Sequence, residues 1–166
     1  MSRIELLPNV FTAANMLLGV AALANIFEQN YNLSIILILV AAFIDRFDGR
    51  LARHFNTTSA FGKELDSLAD LVSFGVAPGA LLYVMTAEKW GVAALVCFGL
   101  FTLCGGLRLA RYNLSGNPTY FLGVPITLAG SLLAVIIYFR PAPAVLLAAG
   151  VLLALAMVST IRIPKI

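Results

Sequence analysis

One stretch decides the fold of this chain. Residues 33–70 read LSIILILVAAFIDRFDGRLARHFNTTSAFGKELDSLAD, so a long apolar run leads directly into a segment crowded with charge. Every aspartate of the chain lies there, at Asp45, Asp48, Asp66 and Asp70. Spacings of three and four residues place each pair on one helix face, and the short polar turn His54–Ser59 predicts that the two helices run antiparallel. We therefore expect four carboxylates to converge at one end of a helical hairpin.

This cluster predicts a divalent metal site. Anions held close together in a partly dry environment repel one another, and a bound cation relieves that repulsion. Ligands made only of oxygen suit Mg²⁺ or Mn²⁺, and two such ions suit a phosphoryl-transfer site. Gly49 would let a phosphate approach the helix backbone, and Arg53, four residues on, would pair with it. The alternative is that each aspartate pairs with a neighbouring arginine or lysine.

The composition places the chain in a membrane. Of its 166 residues, 61% are hydrophobic and 11% are charged, whereas a soluble domain is about 45–50% apolar and about 25% charged. One domain of this size cannot bury so much apolar surface, and the surplus must face lipid. These proportions exclude a soluble enzyme, a disordered chain and a disulfide scaffold, and no nucleic-acid partner is expected. Cys97 and Cys104 are interpreted as packing residues.

The apolar segments predict six membrane-spanning helices. A spanning helix needs about 20 predominantly apolar residues, and six stretches qualify. They are Val10–Phe27, Leu33–Arg53, Phe61–Met85, Trp90–Tyr112, Leu122–Phe139 and Ala144–Ile161. No long polar segment is left for a second domain, so we expect residues 1–166 to form a single all-α, polytopic membrane domain.

The basic residues predict the orientation of these helices. Six spans put both termini on one side, and nine of the eleven lysines and arginines fall on that side. Lys89 and Arg140 lie opposite. Because cytoplasmic loops are enriched in lysine and arginine, both termini and the aspartate cluster are expected on the cytoplasmic side of the cell membrane. The first span is interpreted as a retained helix rather than a cleaved signal.

The charged segment resembles the signature of the CDP-alcohol phosphatidyltransferase family. It matches at all eight fixed positions, in the pattern Asp45-x2-Asp48-Gly49-x2-Ala52-Arg53-x8-Gly62-x3-Asp66-x3-Asp70. The resemblance implies six helices and an enzyme that moves a phosphatidyl group from a CDP-linked lipid to an alcohol and releases CMP. It also implies a homodimer and a dependence on divalent metal. Carried over to this chain, all four aspartates bind metal, and Asp70 also acts as the base.

The same resemblance implies residues that hold the CDP part of the lipid donor. Gly49 and Arg53 match motif positions with that role, and Ser59 lies where relatives use a hydroxyl for the same group. Residues 8–12, Pro-Asn-Val-Phe-Thr, resemble the start of the family's first helix, which lines the nucleotide pocket. Asn9 and Thr12 are therefore expected at that pocket.

Segments outside the motif resemble the branch of the family whose acceptor is serine. They are residues 70–78, 108–113 and 121–125. The expected substrates are therefore CDP-diacylglycerol and L-serine, and the expected products are phosphatidylserine and CMP. Arg108 and Arg111 share a helix face and are candidates for the serine carboxylate, with Asn113 and Ser73 as further candidates. The alternative for the two arginines is anchoring to lipid phosphates.

Other functions are also compatible with the sequence. A sister transferase would use glycerol 3-phosphate or inositol phosphate, and an archaeol lipid is another possible donor. Carboxylates inside a helix bundle also mark ion paths, so an ion or metal transporter is the alternative from another class. A path needs polar residues through the full membrane depth, whereas Leu33–Val40 and Ala77–Val84 carry no charge. The pattern favours a blind cavity and direct attack by the serine hydroxyl, with a covalent carboxylate intermediate as the alternative route.

Overall fold

A computed structural model gives the fold. It describes the backbone of residues 3–55, 60–115 and 120–164, and the side chains of residues 9–47, 60–114 and 123–161. The described backbone is helical apart from turns and a two-stranded ladder. The all-helical class predicted from the sequence is thereby confirmed, and the ladder is a small addition to it.

The first two helices form an antiparallel hairpin. α1 runs from Arg3–Phe27 and α2 from Tyr31–Phe55. The turn between them contains Gln29, whose φ of 62° reverses the chain. Beyond the turn, the hydroxyl of Ser34 donates a hydrogen bond to the carbonyl oxygen of Ala22 at 3.0 Å. The acidic end of α2 therefore lies beside the start of α1.

The third helical stretch changes from α-helical to wider π-helical turns immediately after Asp70. α3 covers Ala60–Asp70, a π-helical segment covers Leu71–Val76, and α4 covers Ala77–Ser115. Within the widened turn, the amide of Ala77 donates to the carbonyl oxygen of Val72, five residues back. Pro78 follows, and it has no N–H to offer the carbonyl of Phe74. The proline accounts for the departure from regular α-helical bonding at this point.

α4 is two helical legs joined by a kink at Gly91. The backbone there has φ 42° and ψ −109°, a conformation that glycine adopts without a steric penalty. The second leg packs antiparallel to the first leg and to the π-helical segment that precedes it. The rings of Tyr83 and Phe98 lie 6.3 Å apart, and Thr102 donates to the carbonyl oxygen of Gly75 at 3.4 Å. The residues left between the predicted spans Phe61–Met85 and Trp90–Tyr112 are therefore helical, and the reversal occurs at Gly91.

The last two helices are shorter than predicted. α5 covers Ile126–Tyr138 and α6 covers Pro143–Val158. Strand β1, Tyr120–Leu122, pairs antiparallel with β2, Arg162–Pro164, so the predicted spans Leu122–Phe139 and Ala144–Ile161 lose their ends to the ladder and its connections. The 13 residues of α5 extend about 20 Å at 1.5 Å per residue.

The second leg of α4 lies alongside α6, and the two run in the same direction. The thiol of Cys97 lies 3.7 Å from the carbonyl oxygen of Leu147, and Arg111 donates to the carbonyl oxygen of Val158 at 3.1 Å. Cys97 and Cys104 are free and buried, as expected of packing residues. The described helices form six rods: α1, α2, α3 continued through the π-helical segment into the first leg of α4, the second leg of α4, α5 and α6. The rods alternate in direction, so the ends of α2, α4 and α6 share one end of the bundle with the start of α1.

The outside of the bundle is apolar. Large hydrophobic side chains such as Leu17, Val92 and Leu152 are about two-thirds or more exposed. Small residues such as Ala22, Ala77 and Ala154 are buried between the helices, as in membrane helix packing. Within the residues that the structure describes, two stretches are long and apolar enough by length and composition to cross a membrane, Asn9–Phe27 and Ala60–Leu114. The second of these contains both legs of α4.

Candidate active site

Three of the four aspartates meet at one end of the bundle. Asp45 comes from α2, while Asp66 and Asp70 come from α3. One carboxylate oxygen from each lies within 4.8 Å of the others. Asp70 is buried, at 8% exposure, and the other two are half-buried. Asp48 stands one turn after Asp45 in the helical backbone of α2, and its side chain lies outside the described residues.

Two neutral side chains donate hydrogen bonds to this cluster. The carboxamide nitrogen of Asn15, in α1, donates to Oδ1 of Asp70 at 3.3 Å. The hydroxyl of Thr127, in α5, donates to Oδ2 of Asp45 at 3.4 Å. Neither residue was predicted from the sequence. Asn15 follows Thr12 by three positions, so a polar face of α1 was an available signal, whereas nothing in the sequence marks Thr127.

α1 is closely fitted to the π-helical segment that follows Asp70. The hydroxyl of Ser73 donates to the backbone carbonyl oxygen of Asn15 at 2.8 Å. One turn later, a Cβ placed on Gly19 would lie 2.8 Å from Cα of Ser73 and nearer still to its hydroxyl oxygen. Only a residue without a side chain fits at that position. The backbone that carries Asn15 is consequently fixed relative to the helix that carries Asp70.

The charges around Asp70 act in opposite senses. Asp45 and Asp66 repel its carboxylate, and the guanidinium of Arg108 attracts it. Arg108 is itself buried, at 8% exposure, and its guanidinium lies 5.7 Å from the ring centroid of Tyr112. An arginine from α4 therefore balances part of the negative charge that α2 and α3 assemble.

The remaining predicted serine ligands make helix-to-helix contacts in this structure. Arg111 donates to Val158 in α6, and the hydroxyl of Ser73 is bonded to Asn15. The carboxamide nitrogen of Asn113 donates to Oγ of Ser67 at 2.9 Å and to the carboxylate of Glu64 at 3.3 Å. Their assignment to serine binding stays a prediction.

The donor set of the cluster fits a divalent metal ion. Its ligand atoms are carboxylate oxygens from three residues, close enough together for one small cation to contact all of them. Oxygen ligands of this kind are those that Mg²⁺ and Mn²⁺ prefer. The cluster could therefore hold a metal ion.

Comparison with known proteins decides the family. The sequence model of the CDP-alcohol phosphatidyltransferase family matches residues 5–162. The chain belongs to this family. The match spans all six helical rods, and the family predicted from the aspartate pattern is confirmed.

Three relatives carry the name CDP-diacylglycerol–serine O-phosphatidyltransferase. The one from Helicobacter pylori strain J99 is 38% identical, over 96% of this chain and 72% of its own length. That from Bacillus subtilis is 38% identical, over 95% of this chain and 89% of its own length. That from Methanocaldococcus jannaschii is 40% identical, over 78% of this chain and 62% of its own length.

The predicted CDP-binding residues of this phosphatidyltransferase are only partly described. Thr12 is buried at 3% exposure and stands one turn before Asn15 on α1, while Asn9 is half-buried. Gly49 and Arg53 lie in the helical backbone of α2, with their side-chain positions outside the described residues. Ser59 also lies outside the described residues. These five assignments stay predictions.

Proposed function

We propose that this chain transfers the phosphatidyl group of CDP-diacylglycerol to the hydroxyl of L-serine, giving phosphatidylserine and CMP. The observation that carries the proposal is the similarity, over nearly the whole chain, to relatives named for this reaction. The carboxylate cluster supports it, because three carboxylates this close together fit a divalent metal ion and the family resemblance implies a metal-dependent transfer.

In the proposed mechanism, Asp70 is the base. Its carboxylate takes the proton of the serine hydroxyl as the hydroxyl oxygen attacks the lipid-side phosphorus of the diphosphate. The bond from that phosphorus to the oxygen of CMP breaks in line, and CMP leaves. Asn15 supports this assignment, because its hydrogen bond orients the Asp70 carboxylate from a fixed helix.

Asp45, Asp48, Asp66 and Asp70 are the proposed metal ligands. Two Mg²⁺ or Mn²⁺ ions bound there would neutralise negative charge on the diphosphate and on the leaving oxygen. The hydroxyl of Thr127 holds the Asp45 carboxylate in place. Removing the metal with a chelator is expected to abolish turnover, and adding either ion back is expected to restore it.

The two substrates are proposed to approach from different sides of the cluster. The CDP group would contact Asn9 and Thr12 from α1, Gly49 and Arg53 from α2, and Ser59 between α2 and α3. The serine carboxylate would pair with Arg108 and Arg111, with Ser73 and Asn113 nearby. Arg108 is buried and its charge acts on the Asp70 carboxylate. These two observations favour Arg108 over Arg111 as the main ligand of the serine carboxylate.

We further propose that all six rods cross the cell membrane, with both termini and the active site in the cytoplasm. The end of the bundle opposite the aspartates carries two basic residues among those described, Lys89 and Arg140. The positive-inside rule favours that end as the outer one. Labelling of single cysteines introduced at Glu28 and at Lys63 with a membrane-impermeant reagent is expected to modify the first in intact cells and not the second.

We propose a homodimer, as the family resemblance implies. Light scattering of the detergent-solubilised protein, corrected for bound detergent, is expected to give twice the chain mass. A monomer that retains full turnover would contradict this proposal.

The function is tested by CMP release from purified protein with CDP-diacylglycerol and Mg²⁺ or Mn²⁺. L-serine is expected to stimulate release, and glycerol 3-phosphate and inositol phosphate are expected not to. Stimulation by either phosphate in place of serine would make the chain a sister transferase. Metal uptake into liposomes without CMP release would identify a transporter. Replacing the donor with its archaeol analogue shows which lipid backbone is preferred.

A further inference from the structure

Asn15 has an unused hydrogen-bond acceptor beside the active-site carboxylates. Its side chain is 1% exposed, and its nitrogen faces Oδ1 of Asp70. A carboxylate accepts hydrogen bonds and cannot donate them, so the nitrogen must be the atom that faces Asp70. The amide oxygen Oδ1 then points elsewhere, and it accepts no hydrogen bond from any residue that the structure describes.

Such an oxygen destabilises the site when it has no donor and suits the binding of a group that supplies one. A buried polar atom without a partner has lost its hydration and gained nothing in return. A ligand that supplies an N–H or O–H donor recovers that loss. Asn15 is also preorganised to receive one, because Ser73 bonds to its backbone carbonyl oxygen and the absence of a side chain at Gly19 holds α1 close.

We propose that Oδ1 of Asn15 accepts a hydrogen bond from the ammonium group of the acceptor L-serine. This inference rests on the proposed function. The nitrogen of serine is three bonds from its hydroxyl oxygen, and Oδ1 of Asn15 is two bonds from the nitrogen that holds Asp70. One carboxamide can therefore orient the base and bind the amine beside it, while the surrounding carboxylates attract the positive charge.

The oxygen of the Asn15 carboxamide is expected to affect the KM for L-serine, and its nitrogen is expected to affect kcat. Two substitutions separate these effects. Asn15→Leu removes donor and acceptor at similar size and is expected to raise the KM for L-serine at least about tenfold, the effect of losing a hydrogen bond to a charged group. Asn15→Asp keeps an acceptor but cannot donate to Asp70. It is expected to leave the serine KM within about threefold and to lower kcat at least about tenfold.

The matched control is Asn25→Leu. Asn25 lies on the same helix, and its nitrogen donates to the carbonyl oxygen of Ala21 at 2.8 Å, away from the cluster. This variant is expected to keep both KM values of the wild type. The KM for CDP-diacylglycerol and the affinity for Mn²⁺, measured without substrates by electron paramagnetic resonance, are expected to stay unchanged in Asn15→Leu and to show that this variant is folded.

A serine analogue identifies the group that Asn15 contacts. 3-Hydroxypropionate lacks only the ammonium, and it is assayed as an acceptor and as a competitive inhibitor of serine. Asn15→Leu is expected to change its KM or inhibition constant less than about twofold, since no hydrogen bond of the analogue is lost. Equal weakening of both compounds would overturn the proposal and leave Asn15 with the positioning of Asp70 as its only role. Weakened Mn²⁺ binding would overturn it in favour of a metal ligand, and an equal rise of the serine KM in Asn15→Asp would also contradict it.

The wild-type assay separates this inference from the function on which it rests. If serine fails to stimulate CMP release while another alcohol succeeds, the proposed function is wrong. If serine is the acceptor and Asn15→Leu leaves its KM unchanged, the function stands and the inference alone is wrong.

Discussion

Two close helix contacts in this bundle use the same packing device in different chemical settings. The polar contact consists of Asn15, Gly19 and Ser73, where α1 meets the π-helical segment. The apolar contact consists of Leu82, Cys97 and Gly150, where α6 fits between the two legs of α4. In each, a glycine lets a helix approach a neighbour more closely than any side chain would allow.

The difference lies in what each contact positions. The polar contact fixes Asn15 directly beside Asp70, so a small displacement there moves a group that touches the proposed base. The apolar contact touches side chains only, and its closest atoms are the ends of Leu82 and Cys97. We infer that the polar contact determines the geometry of the site, whereas the apolar contact determines the stability of the bundle.

The largest effect is expected at the residue that the polar contact serves. Asp70→Asn removes the proposed base while keeping the size of the side chain, and should lower kcat at least about a hundredfold. Binding of CDP-diacylglycerol, measured by equilibrium titration, should persist because its ligands lie on other residues. Glu88→Gln, an exposed acid on α4, is the control and should retain wild-type turnover. Normal phosphatidylserine formation by Asp70→Asn would refute the assignment of Asp70 as base.

Gly19→Ala should disturb the polar contact without touching a substrate. Its Cβ would lie 2.8 Å from Cα of Ser73, and because backbone cannot give way as a side chain can, α1 must shift. A misplacement of about 1 Å near reacting groups costs up to about a hundredfold in rate, so kcat should fall about ten- to a hundredfold. The control is Gly99→Ala, where no atom lies within 4 Å of the added carbon. Wild-type kcat in Gly19→Ala would show that the polar contact is not needed for catalysis.

The aspartate cluster was predictable because helical spacing is a local property. The separation of Asp45 from Asp48 and of Asp66 from Asp70, together with a short connection, was sufficient to place carboxylates from two helices at one end of a hairpin. The structure brings Asp45, Asp66 and Asp70 together. Apolar runs likewise located the helices, because the length of such a run is also local.

Features that depend on distant partners were not predictable in this way. Asn15 and Thr127 lie in mostly apolar helices, and the aspartates to which they donate lie 55 and 82 positions away in the chain. The start of α5 was placed too early because β1 pairs with β2 from the far end of the chain. At Gly91, a single residue takes up the reversal, so the preceding polar residues could stay helical.

Arg111→Ala tests whether Arg111 serves the active site, as the polar contact does, or only the packing of helices, as the apolar contact does. Arg111 tethers α4 to α6 through Val158 and is also a proposed ligand of the serine carboxylate. If it binds serine, the KM for L-serine should rise about tenfold, as for a lost charge-assisted hydrogen bond, and the KM for CDP-diacylglycerol should change less than about twofold. Equal rises in both KM values would show that Arg111 acts in packing or contacts lipid phosphate.

The smallest effect on activity is expected at the apolar contact. In Gly150→Ala, the added carbon would lie 2.7 Å from Cδ2 of Leu82 and 2.9 Å from Sγ of Cys97. These are side-chain ends that can rotate away, so the clash becomes overpacking, which lowers the free energy of unfolding by about 1–3 kcal/mol. Unfolding in mixed micelles should show that loss, while kcat and both KM values stay within about twofold of wild type. A fall in kcat as large as that of Gly19→Ala would mean that strain passes from α6 through α4 to Asp70, and that the two contacts form one rigid unit.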